Sequence, residues 1–197
     1  MPRTKEQYEQ IRTEKRQLIK ESALKLFAEK GYDATSISEI AKKAEISKGL
    51  LYNYFASKDD LLKTIWDDLI EEFEVMIDPN NDGDVTDAEA ENFIDATFEM
   101  LKNKREEMKL YYQLSFQPNV VNFLYNKYDI SETQKRQKFI FGYFIQKIPF
   151  LQNEFGFFSI ASFFKGLFMV ATYTEGIFNN DFLDKYKAFL KSLVFKV

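Results

Sequence analysis

Cysteine and histidine are both absent from the 197 residues. Without cysteine there are no disulfides, no thiolate metal sites and no thiol nucleophile. Without histidine the chain lacks the commonest general base and the commonest transition-metal ligand. Any bound metal would be held by oxygen, which favours calcium or magnesium over zinc. Four prolines and seven glycines are too few for a loop-rich or disordered chain, and a 45% apolar fraction can fill a core. Long uncharged apolar runs are missing as well. The most apolar stretch, 155–180, contains Lys165 and Glu175. A lysine at the centre of a membrane span costs roughly 2.5–3.5 kcal/mol, so this stretch predicts a buried helix and no membrane partner. The opening "MPRTKEQYEQIRTEKRQ" is charged and has no apolar core, unlike a secretory signal, which predicts a cytoplasmic protein. The length suits one or two domains.

The net charge of −4 is unevenly spread. Residues 1–63 carry 13 Lys/Arg against 10 Asp/Glu, and residues 64–197 carry 14 against 21, a modestly basic head on an acidic body. The apolar spacing is helical nearly throughout, and no alternating strand pattern occurs. Tyr8, Ile11, Leu18, Ile19, Ala23, Leu26 and Phe27 trace one helix, which Gly31 should end. Ser36 with Glu39, and Thr86 with Glu89, have capping-box spacing. Ser47 and Ser57 can cap two further helices. Other helical patterns lie near 104–115, 119–128, 131–148, 157–178 and 181–196, with breaks at Pro118 and Pro149. Apolar on nearly every side, 157–178 should be buried on most of them. The fold class is therefore all-α, with about nine helices.

Two short helices joined by the turn "EIS" and preceded by a longer helix make a helix-turn-helix unit. Ile37, Ile40, Ala41, Ile46 and Leu50 or Leu51 should face inward, and Ala41 and Ala44 allow close approach. Lys48, Tyr52, Asn53 and Tyr54 should face outward. Ser47, Lys48, Tyr54 and Lys58 suit phosphates, Lys48 and Asn53 suit base edges, and Gly49 lets the backbone approach DNA. At "TSISEIAKKAEISKGLLYNYFASKDDL", residues 35–61, the chain resembles the TetR family of bacterial transcriptional repressors. The matching positions are Thr35, Ile40, Ala41, Ala44, Ser47, Gly49, Tyr52, Tyr54, Phe55, Ser57, Lys58 and Leu61. Glu45 stands where the family usually has glycine, at a cost of about 1 kcal/mol if the turn needs a positive φ. Asn53 falls at a position that varies in the family. The DNA-binding set expected on this pattern is Thr35, Ser36, Ser47, Lys48, Gly49, Tyr52, Asn53, Tyr54 and Lys58.

The resemblance implies a helix-turn-helix DNA-binding domain over 1–58 and a helical effector-binding and dimerisation domain over 59–197. The expected partners are double-stranded operator DNA, a second copy of the chain and a small-molecule effector. Sixteen of the 21 phenylalanines follow residue 110, which suggests an apolar or aromatic effector. Phe98, Tyr111, Phe116, Phe141, Phe144 and Phe164 are the candidate pocket walls, though each also suits ordinary core. Dimer contact is expected through 155–196, where Ser159, Ser162 and Gly166 place small residues at helical spacing.

One stretch stands apart. "DPNNDGDVTDAE", residues 78–89, has oxygen ligands at positions 1, 3, 5, 7, 9 and 12 and glycine at position 6, the order of an EF-hand loop. Asp78, Asn80, Asp82, Asp84 and Glu89 are the candidate ligands for calcium, in a weak site with a Kd on the order of 10⁻⁴ M. No cofactor is otherwise required. The plainer reading is an acidic turn followed by the Thr86–Glu89 capping box. Two rival functions follow, a calcium-binding regulatory module and an enzyme. No second loop supports the first, and no carboxylate-pair or lysine motif supports the second, so the expectation is a DNA-binding regulator and not an enzyme.

Overall fold

The computed structural model describes residues 4–128, 139, 141–174 and 176–195. Every regular element among them is helical: α1 (Lys5–Lys30), α2 (Ile37–Lys43), α3 (Lys48–Tyr52), α4 (Lys58–Ile77), α5 (Asp87–Asn103), α6 (Arg105–Ser115), α7 (Pro118–Lys127), α8 (141–147), a 3-10 turn (Pro149–Leu151), α9 (Gly156–Tyr173) and α10 (Asn180–Phe195). Most of the helix expected at 131–148 lies outside the described residues.

Local chemistry sets the ends. Thr4 with Gln7, Ser36 with Glu39, and Thr86 with Glu89 each form a complete capping box, satisfying amides that the first turn leaves unpaired. Ser57 Oγ accepts from Asp60 N at 3.0 Å before α4. Gly31, at φ +100°, closes α1. The turn between α2 and α3 has its cost at Glu45, which sits at φ +54°, a left-handed conformation that disfavours a side chain. Glu45→Gly should therefore stabilise the fold by about 0.5–1 kcal/mol, with the loss of backbone freedom offsetting part of the relief. A urea titration checks this, and a lower midpoint would sink it.

The chain divides into two compact units. The first runs up to Leu69 and takes in Leu110–Leu124. Its core joins Ile19, Ala23 and Phe27 of α1 to Ile40, Leu51, Phe55, Leu61, Leu62, Leu114 and Val120. Burying each large apolar side chain contributes roughly 1.5–3 kcal/mol. The carboxamide of Gln117 fastens the end of α1: Oε1 accepts from Tyr32 N at 2.7 Å, and Nε2 donates to Phe27 O at 2.6 Å.

The second unit holds Ile70–Lys109 and the chain from Tyr125 onward. Phe93, Ile94, Phe98 and Leu101 of α5 are buried, as are Leu183 and Val194 of α10. A ladder of ion pairs flanks that contact, including Lys191–Asp95 at 2.6 Å and Lys102–Asp184 at 2.6 Å. One expectation needs correction here. Helix α9 is not covered on most sides: Phe158 is 69% exposed, Met169 44% and Tyr173 48%. Leu167, Phe168 and Ala171 are buried, so one face packs inward, and the uncovered face mixes Phe158, Met169 and Tyr173 with Ser159, Ser162 and Lys165.

Candidate nucleic-acid interface

The short helix α3 is anchored by two buried residues, Leu51 and, just past its end, Phe55. Ser47 caps its start, accepting from Leu50 N at 3.1 Å. With Leu51 turned inward, Lys48, Gly49, Leu50, Tyr52 and Asn53 are turned out and exposed. No atom lies within 4 Å of the position a side chain would take at Gly49. The Lys48 ammonium stands 6.0 Å from the centre of the Tyr52 ring. The outward surface thus offers a cation, a phenol, a carboxamide and an approachable backbone within two turns of helix.

Three of the expected contact residues are placed as braces. Thr35 is buried, and its hydroxyl donates to Gly31 O at 2.8 Å and Leu26 O at 3.2 Å. A hydroxyl so enclosed does not reach a ligand. The Lys58 ammonium donates to Tyr32 O and Thr35 O and lies 4.3 Å from the centre of the Tyr32 ring. Ser36 is exposed, yet its hydroxyl donates to Glu39 Oε2 at 2.7 Å. Glu39 in turn pairs with Lys30, and that contact, followed by the hydrogen bonds from Ser36, holds its carboxyl down to about 2. Tyr54 is half-buried against the head's core.

The structure adds a residue that the sequence pattern does not mark. Arg16 of α1 donates from Nη1 to Tyr54 O at 3.1 Å, and its guanidinium lies 4.5 Å from the centre of the Phe55 ring. It ties the first helix to the C-terminal end of α3. The only signal in the sequence is a charged residue one turn before Ile19, on the same face.

The EF-hand reading is not borne out. Asp78, largely buried, accepts from Asp82 N at 3.2 Å and Gly83 N at 3.1 Å. Asp82 Oδ1 accepts from Asp84 N, and Asn80 Oδ1 from Asp82 N. Glu89 is committed to the capping box with Thr86. Gly83 takes φ +83°, as a sharp turn requires. Among the described residues no group of three or more acidic side chains stands where it could hold a metal ion. The side chains of Asp78, Asn80, Asp82 and Glu89 serve backbone amides, Asp84 contributes its own amide to Asp82, and the stretch is a self-capped acidic turn.

The candidate pocket residues are divided between the two units. Tyr111 stacks on Trp66 in the first unit, rings 5.7 Å apart, and Phe116 in the same unit is 68% exposed. In the second unit Phe141, Phe144 and Phe164 do meet, at 5.5–6.0 Å, and Phe93 joins them. Phe98 packs on Tyr186 instead.

An all-helical chain whose short third helix is anchored from behind and bare in front is a helix-turn-helix protein. Residues 19–65 match the family model described as bacterial regulatory proteins, tetR family. Across 49 residues the chain is 63% identical to the HTH-type transcriptional regulator YuxN of Bacillus subtilis, covering 25% of this chain and 17% of that protein. Across 105 residues it is 30% identical to IcaR of Staphylococcus epidermidis, a negative transcriptional regulator of a biofilm operon, covering 53% and 55%. The matches to these curated relatives thus span little more than half of their length at most. Among solved structures, a TetR-family transcriptional regulator from Haemophilus influenzae matches with a TM-score of 0.62 at 18% identity, over 94% of this chain and 98% of that one. The fatty acid degradation regulator FadR from Bacillus halodurans matches with a TM-score of 0.57 at 21% identity, over 91% and 94%. Residues 19–65 thus carry the pattern of the TetR family's model, and the chain as a whole has the fold of solved TetR-family regulators.

Proposed function

We propose that the chain is a sequence-specific DNA-binding transcriptional regulator of the repressor kind, not an enzyme. It works as a homodimer and is released from its operator by a small-molecule effector. The observation that carries this reading is the bare face of α3. Its exposed run of Lys48, Gly49, Tyr52 and Asn53 has the chemistry that a major groove and its phosphates require, and it lies inside the segment that matches the family. Lys48 serves phosphate or a base acceptor, Tyr52 stacks or donates, Asn53 reads a base edge, and Gly49 permits close approach. The DNA-binding domain is 1–58, and 59–197 serves effector binding and dimerisation.

Dimerisation is supported by the uncovered apolar residues of α9 and α10, where Phe158, Met169, Tyr173, Phe182, Phe189 and Leu193 are all exposed in the single chain. The effector is apolar or aromatic, in keeping with the ring cluster around Phe93, Phe144 and Phe164. No described helix is long and apolar enough to cross a membrane, and a protein that reads DNA works where the genome is, in the cytoplasm.

Selection from random duplexes tests the reading. The expected result is a roughly palindromic consensus, because a two-fold dimer presents two copies of α3. Lys48→Ala should weaken binding to that site and lower the salt slope by about 0.9, the signature of one lost phosphate contact. Recovery of no consensus would end the regulator reading.

A further inference from the structure

We propose that the first turns of α1 form a second DNA-backbone surface, gripping phosphates beside the segment that α3 reads. This rests on the regulator reading above. Helix α1 outruns its own core: Ile19 is its first buried residue, and residues 5–10 and 12–14 are exposed. At 3.6 residues per turn, Lys5, Arg12 and Arg16 fall within about 40° of one another, in line with the buried Ala23 and Phe27. Tyr8 and Lys15 flank that line. The side of α1 that carries core residues in its second half therefore carries cations in its first half.

The two faces of this overhang differ in how far they are satisfied. On the outer side, Gln10 donates to Glu14 at 3.0 Å and Gln17 to Glu21 at 2.9 Å. On the inner side, Lys5, Arg12 and Lys15 make no ion pair or hydrogen bond among the described residues, and Glu9, in line with Phe27, is the one carboxylate among these cations. Arg16 sets the direction. It sits where the overhang begins, and its guanidinium is fastened to Tyr54 O and the Phe55 ring, at the C-terminal end of α3. Arg12 stands one turn further out on the same stripe. The inner face is thus continuous with the end of the recognition helix and presents unpaired positive charge beside it. Its complement is a polyanion lying along α3, which is the phosphate backbone of the same duplex. Charge complementarity and continuity with the end of α3 point to the same occupant.

The test uses the full-length protein carrying Arg12→Ala with Lys15→Ala. Both sites lie on a helix that alanine favours, so helicity should hold, and circular dichroism confirms it. On the operator recovered for the wild type, the salt slope of binding should fall by about 2, and affinity near 0.1 M salt should drop by roughly tenfold. Phosphate ethylation interference should disappear at positions outside the α3 segment, and the consensus should stay unchanged. Glu14→Gln, which alters charge on the outer face only, should leave the slope as it is. An unchanged slope in the double variant, with the wild type still selecting its consensus, overturns this proposal and leaves the regulator reading standing. An equal and opposite slope change in Glu14→Gln also overturns it, since general charge would then explain the effect. A wild type that selects no consensus overturns both.

Discussion

Phe189→Asp is expected to hold the chain monomeric where the wild type, as proposed above, dimerises, and to abolish operator binding at protein concentrations that saturate the wild type. Phe189 is 53% exposed in the single chain and stacks on Tyr186, which stacks on Phe182, so an aromatic row runs along α10 with both of its ends exposed. A two-fold contact places each substitution in the interface twice. Stranding a carboxylate without a partner in a dry contact costs roughly 3 kcal/mol or more, so two copies raise the dimer dissociation constant by on the order of 10⁴. The monomer should keep its helices, because the ring already half faces water before association. Sedimentation equilibrium separates the outcomes. A variant that still sediments as a dimer would show that α10 is not the contact.

The uncovered faces mark a limit of what the sequence conveys. The apolar wealth of 155–180 was plain, but composition does not say which sides of a helix its own subunit covers. Phe158 and Met169 read as core and stand exposed, whereas Phe168 is buried. Signals within a few residues were legible: Ser36 with Glu39, and Thr86 with Glu89, cap as their spacing implies. The exposed face of α3 was legible for the same reason, since five residues of helix with Leu51 inward fix what points out. Long-range partners were not. Thr35 and Lys58 carry groups that suit phosphate, and only the fold reveals that both are spent on backbone carbonyls. Arg16 meets Tyr54 across 38 positions of sequence, a pairing that no local pattern encodes. The stretch 78–89 shows a different limit. The same oxygens and the same glycine serve a cation loop or a self-capped turn, and the residue types alone do not choose between them.

The head should be the more fragile unit, and Phe55 with Arg16 shows why. Phe55 is 1% exposed, and Phe55→Ala should cost about 3–5 kcal/mol through lost transfer and the cavity left behind. Against a total stability of roughly 5–15 kcal/mol that is a large fraction, and the head should melt well below the wild type. Arg16→Ala should cost less, about 1–2 kcal/mol, because it removes one charge-assisted hydrogen bond and a partly exposed cation–π contact. The two losses share one location, so the double variant should be less destabilised than their sum: once the ring is gone, the guanidinium has lost its platform. Arg16→Lys should not restore the wild type, since an ammonium cannot both lie flat on the ring and reach the Tyr54 carbonyl as a planar fork does. Urea titrations of the four proteins test the scheme, and strictly additive losses would refute the shared site. Operator binding gives the second reading. Tyr54 O is where Arg16 holds the end of α3, so Arg16→Ala should reduce operator affinity even at temperatures where the head is fully folded, as expected of a residue that positions the recognition helix.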